Sequence, residues 1–202
     1  RLPLAARHHV GAEVLGGKAQ VVAIHPCGLL LDRAVVGNVA DLTFMGGITE
    51  SLVINGRIMD ELNLSCDPDA TLAALASGAA VTIATGQHCL PAHITRERIE
   101  AVFSSSSWIS ATTDMGQRYA WDGFAVWDQV AAAALIKPEL FEPREMTVTL
   151  DRRLLSVGYL EKAAADAPSA QVTTPVIANP EAYLEDALEG WRRGCELLGL
   201  PL

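Results

Sequence analysis

Between Met45 and Asp69 the chain carries a long polar stretch bounded by two strong signals. Before it runs Ala40-Asp41-Leu42-Thr43-Phe44-Met45, an apolar segment stopped by Gly46-Gly47. Such a segment reads as a buried strand. At its end stands Asp67-Pro68, an N-cap with proline at the first helical position, which reads as a helix start. About twenty residues between strand and helix is long against the two to six usual in α/β proteins. Long connections on the strand-to-helix side of a sheet are where sites are built. This one gathers Asn55, Asp60, Glu61 and Asn63.

The rest of the chain alternates strand and helix signals. Arg1 to Lys18 reads as a helix ending at Gly16-Gly17. Gln20 to Ile24 reads as a buried strand closed by His25-Pro26, and Leu29 to Val36 as a short helix. Asp69 to Ala76 predicts a helix, Ala79 to Ala84 a strand, and Thr95 an N-cap. His88 and His93 stand five apart, which does not place two ligands on one helix face, so they read as loop residues. Ser104 to Ser107 reads as a linker. Trp121 to Leu135 predicts a buried helix with Asp122 at its N-terminal end, where a carboxylate also serves as an N-cap. Met146 to Leu150, Leu154 to Tyr159 and Val172 to Ile177 read as strands. Asn179-Pro180 opens a C-terminal helix whose Tyr183, Leu184, Ala187, Leu188 and Trp191 follow helical spacing. The predicted fold is α/β, one domain over residues 1–202, with a largely parallel sheet flanked by helices in a Rossmann-like arrangement.

Composition narrows the function. The 202 residues are 50% hydrophobic and 19% charged, with a formal charge of −9. That balance suits a packed core and argues against nucleic-acid binding. Cys27, Cys66, Cys89 and Cys195 are widely spaced without a CxxC pair, which reads as reduced thiols in a cytoplasmic protein. No apolar run reaches the length of a membrane span, so no membrane partner is expected.

Several pieces, in order, carry a resemblance. They are Met45-Gly46-Gly47, Asn55, Glu61-Leu62-Asn63 and Asp67-Pro68-Asp69-Ala70. Further on come Trp121-Asp122-Gly123, Ala125-Val126 and Lys137-Pro138-Glu139-Leu140-Phe141. The chain from about Val21 to Arg193 resembles the inosine-uridine-preferring nucleoside hydrolases, which carry Met-Gly-Gly, Gly-Asn, Glu-Phe-Asn, Asp-Pro-Glu-Ala, His-Asp-Pro-Leu-Ala and Asp-Pro-Glu-Leu-Phe. It resembles the later two-thirds of that pattern. The family's opening Asp-x-Asp-x-Gly-x-Asp-Asp is absent, so the first strands of the family sheet are expected to be lacking.

The resemblance implies cleavage of the N-glycosidic bond of ribonucleosides. It assigns Asn55, Glu61 and Asn63 to ribose hydroxyls, each residue also having a plain alternative as a solvated charge or an Asx turn. It implies a Ca2+ ion, with Asp122 as the one side-chain ligand that can be placed and a backbone carbonyl of Cys27 or Gly28 as another. Where the family has histidine beside that aspartate, this chain has Trp121, which cannot act as a general acid but can stack on a base. His88, His93 and Tyr119 are alternative proton sources. The catalytic base stays unassigned. The missing carboxylates predict an oligomer or an N-terminal segment that completes the site. The alternative is a non-catalytic subunit or a ribose-binding protein.

Overall fold

In the computed structural model the residues described are 10–15, 18–23, 39–103 and 122–200, with side chains from residue 39 onward. Among these, a six-stranded sheet forms from β1 (Val10–Leu15), β2 (Lys18–Ala23), β3 (Val39–Met45), β6 (Ala80–Ala84), β10 (Ser169–Ile177) and β9 (Phe141–Thr149), in that spatial order. The four inner strands β2, β3, β6 and β10 are mutually parallel, and an antiparallel strand closes each side. Parallel pairing needs helical crossovers, and these cover both faces. One face packs α1 (Pro68–Leu75) and α5 (Arg152–Leu155) on Leu42, Phe44, Val81 and Ile83. The other packs α2 (Gly86–Cys89), α3 (Arg96–Val102), α4 (Trp127–Ile136) and α6 (Pro180–Leu198) around Met45, Ala84 and Ile177. Phe44 and Met45, adjacent in β3, thus point into opposite cores, as period-two alternation requires.

Short-range signals placed several helix starts as expected. Asp67 accepts from the Ala70 amide at the start of α1, and Thr95 accepts from Arg98 at the start of α3. Asn179 accepts from the Glu181 and Ala182 amides at the start of α6. Tyr183, Leu184, Ala187 and Leu188 of that helix are buried.

Five expectations are corrected. The helix read from Arg1 to Lys18 contains a strand instead: Val10–Leu15 pairs residue for residue with Lys18–Ala23. The Met45–Asp69 loop is not bare loop; it holds a small hairpin, β4 (Leu52–Ile54) and β5 (Arg57–Met59). Asn55 and Gly56 both have positive φ, 49° and 73°, as a type I′ turn demands. The helix read from Trp121 begins only at Trp127, because Phe124–Ala125 (β8) pairs with His93–Ile94 (β7) just before it. The strand read over Leu154–Tyr159 is α5 and its cap: Asp151 accepts from Arg153, and Tyr159 and Gly158 donate back to Leu154 and Leu155. His88 likewise lies in α2 and His93 in β7, rather than in loops. The expected helix over 29–36 and the linker over 104–107 lie outside the described residues.

Cys89 and Cys195 are buried free thiols, and Cys66 is exposed, its Sγ donating to the Asn63 carbonyl. Among the described residues no helix is long and apolar enough to cross a membrane.

Candidate functional site

Parallel strands bring their carboxyl ends to one side, and here Met45 of β3 pairs with Ala84 of β6. Beyond both strands the Gly46-Gly47 turn is stitched down by backbone bonds. Gly46 N–H donates to the Ala84 carbonyl at 3.0 Å, and Gly86 N–H donates to the Gly47 carbonyl at 2.9 Å. Gly47 has φ +76°, and a Cβ there would lie 2.6 Å from Leu160 Cδ1, so the turn requires glycine. Ile48 is bonded on both sides to a segment far along the chain: its N–H donates to the Gly158 carbonyl and its carbonyl accepts from Leu160 N–H, at 2.9 and 2.8 Å. Gln87 of α2 fixes the next residues, accepting from Thr49 N–H at 3.1 Å and donating to the Glu50 carbonyl at 2.8 Å.

A cavity of about 260 Å³ opens over this turn. Its floor is Met45, Gly46 and Gly47. Leu52 and Met59, an opposed pair in the β4–β5 hairpin, form one side. Asp60, Glu61 and Asn63 form a polar side, and Trp127 and Asp128 of α4 complete the lining. This is the place where α/β folds accept ligands.

Glu61 and Asn63, two of the residues singled out from sequence, therefore meet at the cavity. Glu61 is turned inward. Its Oε1 accepts from the amides of Gly47, Asn63 and Leu64 at 3.1, 2.8 and 2.9 Å, and its Oε2 from Ser65 at 2.9 Å. Asn63 is half-buried, and its Nδ2 donates to Met45 Sδ at 2.8 Å. Asn55 is not among the cavity residues; it holds the exposed hairpin turn.

Asp122 is also not among the cavity residues. It is exposed and lies beside His93. Burial lowers the His93 pKa, and the backbone and charge of Asp122 partly raise it again. His88 is lowered by burial and by the Arg144 charge. Neither histidine lines the cavity. Trp121, Tyr119, Cys27 and Gly28 lie outside the described residues. The pair that does reach the cavity, Trp127-Asp128, was passed over in sequence. A signal for it existed: it is a second Trp-Asp, and it leads directly into the alanine run Ala131–Ala134 that forms the helix. Among the described residues no three His, Cys, Asp or Glu side chains form a group that could hold a metal ion.

Sequence comparison decides the family. The model of the inosine-uridine preferring nucleoside hydrolases matches residues 27–184, which include both walls of the cavity.

The chain belongs to this family.

Nucleoside hydrolases of known structure share its fold. A plant nucleoside hydrolase superimposes with a TM-score of 0.65 at 17% identity, covering 81% of this chain and 58% of that one. A purine-preferring ribonucleoside hydrolase from Gardnerella vaginalis gives 0.62 at 19%, covering 83% and 58%. An inosine-uridine preferring nucleoside hydrolase from Bacillus anthracis gives 0.56 at 19%, covering 81% and 55%. The chain thus spans less than three-fifths of the length of each. No curated protein matches the sequence.

Proposed function

We propose that this chain forms part of an N-ribosyl hydrolase acting on ribonucleosides, with the nucleoside in the cavity above the Gly46-Gly47 turn. The observation that carries the proposal is the meeting of Asn63, Trp127 and Asp128 around one opening in a member of this family. Ribose presents vicinal hydroxyls, which pair with an amide and a carboxylate. A base presents a flat face, on which an indole stacks. We assign Asn63 and Asp128 to the hydroxyls and Trp127 to the base. Of the residues expected at the ribose and the base, Asp122 and Asn55 do not line this cavity, and Trp121 lies outside the described residues.

N-ribosyl cleavage passes through an oxocarbenium-like state, so the site must hold the ribose, exclude bulk water and admit one activated water. Tryptophan is not a general acid, so the base leaves stacked rather than protonated from this position. Calcium takes six to eight oxygens, and the described residues do not fit it by themselves. Its further ligands, and the base that deprotonates the water, would come from residues outside the described ones: an N-terminal segment or a second chain. A bound cation would lower the pKa of the attacking water.

The test uses the full-length protein. Ribose release from inosine and uridine is followed with added calcium and with a chelator. The expected result is turnover that Asn63→Ala weakens about tenfold or more in kcat/KM, the loss of one substrate hydrogen bond. Nucleoside binding without ribose release would point to the non-catalytic, ribose-binding alternative. Absence of both binding and release would overturn the assignment.

A further inference from the structure

One wall of the cavity is apolar, and the β4–β5 hairpin makes it so. Leu52 and Met59 face each other across the two strands, and both line the cavity. Val53 and Ile58, the next pair, point the other way and are 49% and 73% exposed. Period-two alternation separates the two pairs. The polar residues of the hairpin, Asn55 and Arg57, are exposed toward its tip. Of β4 and β5, only Leu52 and Met59 line the cavity.

This wall is held in place from behind. Leu52 is buried and packs on the start of α2, where a Cβ at Gly86 would lie 3.0 Å from Leu52 Cδ2 and 3.4 Å from Ile48 Cγ2. The missing side chain of Gly86 lets both residues close in over the helix start. Ile48 is itself bonded through its backbone to Gly158 and Leu160. Ile48, Leu52 and Met59 thus form an apolar surface, and Leu62, 72% exposed, extends it toward solvent. Asp60, the carboxylate next to Met59, is exposed. A polar partner that water already solvates adds little to binding.

A ribonucleoside offers three groups around its sugar ring: the base at C1′, the hydroxyls at C2′ and C3′, and the C5′ arm. With the base on Trp127 and the vicinal hydroxyls on Asn63 and Asp128, the C5′ arm is left to the wall of Ile48, Leu52 and Met59. A hydroxyl brought against that wall leaves water and finds no partner, which weakens binding. A methyl or thioether group in its place buries apolar surface instead.

We infer that the preferred substrates are ribonucleosides whose 5′ hydroxyl is replaced by an apolar group, as in 5′-deoxy and 5′-alkylthio nucleosides, and that Leu52 and Met59 select it. This rests on the proposed ribonucleoside site. The reaction is unchanged: the C1′–N bond breaks, and water supplies a hydroxyl to C1′ and a proton to the departing base. The 5′ group stays on the released sugar.

The full-length protein is given inosine, 5′-deoxyinosine and 5′-methylthioinosine, and release of free sugar is measured with each. kcat/KM should rise in that order, by about tenfold or more from the first to the last, the discrimination that one added apolar group achieves in a hydrophobic pocket. Where a nucleoside binds without sugar release, Kd read by calorimetry replaces kcat/KM. Equal or better handling of inosine overturns the inference and leaves the nucleoside reading standing. If none of the three binds or is cleaved, the nucleoside reading fails and the inference fails with it.

Two variants locate the selection. Met59→Gln sets an amide into the wall at similar length and should lower the ratio of 5′-methylthioinosine to inosine about tenfold. Ile58→Gln, on the outer face, should leave that ratio unchanged. The ratio compares two substrates on one protein, so a partly unfolded variant does not disturb it. An unchanged ratio in Met59→Gln, or an equal fall in Ile58→Gln, would overturn the inference.

Discussion

The side-chain amide of Asn63 donates to the thioether sulfur of Met45 across 2.8 Å. Met45 is the last residue of β3 and largely buried, while Asn63 faces the cavity. The end of a core strand thus orients a polar group at the site. A sulfur acceptor is weak, so it fixes direction while leaving the amide's other hydrogen-bonding capacity to a ligand.

Met45→Leu removes that acceptor at nearly constant volume. The fold should lose less than about 1.5 kcal/mol, read by thermal unfolding. KM for nucleosides should rise about three- to tenfold as Asn63 loses its orientation. An unchanged KM would show that the sulfur contact does not position Asn63.

Trp127→Ala should lower kcat/KM more for inosine than for uridine, because a purine presents the larger stacking face. Base–aromatic stacking is worth about 1–3 kcal/mol, so the two losses should differ by up to about tenfold. Trp127 also packs against the α-helical core, so Trp127→Phe is measured alongside to keep the fold. Equal losses on both nucleosides, with a lowered unfolding temperature, would assign Trp127 to packing alone.

Asp41 lies in β3, and its Oδ1 is buried without a hydrogen-bond partner among the described residues. Burial raises its pKa. A carboxyl raised on folding destabilises the protein above its folded pKa and costs nothing below its unfolded value, near the ordinary 3.8. Asp41→Asn should therefore raise the unfolding temperature at pH 7, and the gain should disappear as the pH approaches 3.8. A gain independent of pH would show that ionisation is not the cause.

His88 is lowered by burial first and by the Arg144 charge second. A histidine lowered on folding leaves the native state short of protons relative to the unfolded chain. Its contribution is whole above the unfolded value of 6.5 and is lost as pH falls from there through the folded pKa. Unfolding temperature should drop on acidification below that point, and His88→Gln should flatten the drop. A drop of the same slope in the variant would assign it to other groups.

Much of the framework was legible from sequence because its signals act over a few residues. Asp67-Pro68, Thr95 and Asn179-Pro180 each satisfy nearby amides, and each starts a helix where expected. The apolar run at β3 ends at Gly46-Gly47, which line the cavity floor. Even so, Asn55-Gly56 shows how one signal carries two meanings: the residues that resembled a ribose contact also make a hairpin turn.

What the sequence determined by itself was the family and the alternation of strands and helices, and it marked out the stretch from Met45 to Asp69, part of which lines the cavity. Only the tertiary structure decided which of the two aspartates, Asp122 or Asp128, lines the cavity. The choice depends on β7 pairing with β8, which delays the helix to Trp127 and sets Asp128 rather than Asp122 at the cavity. Only the tertiary structure, too, turned Glu61 toward four amides with Gly158 behind it. Caps and turns follow from local backbone geometry and can be read in a line of residues. A carboxylate's partners depend on which distant segments pack beside it, and that information exists only once the sheet has brought them together.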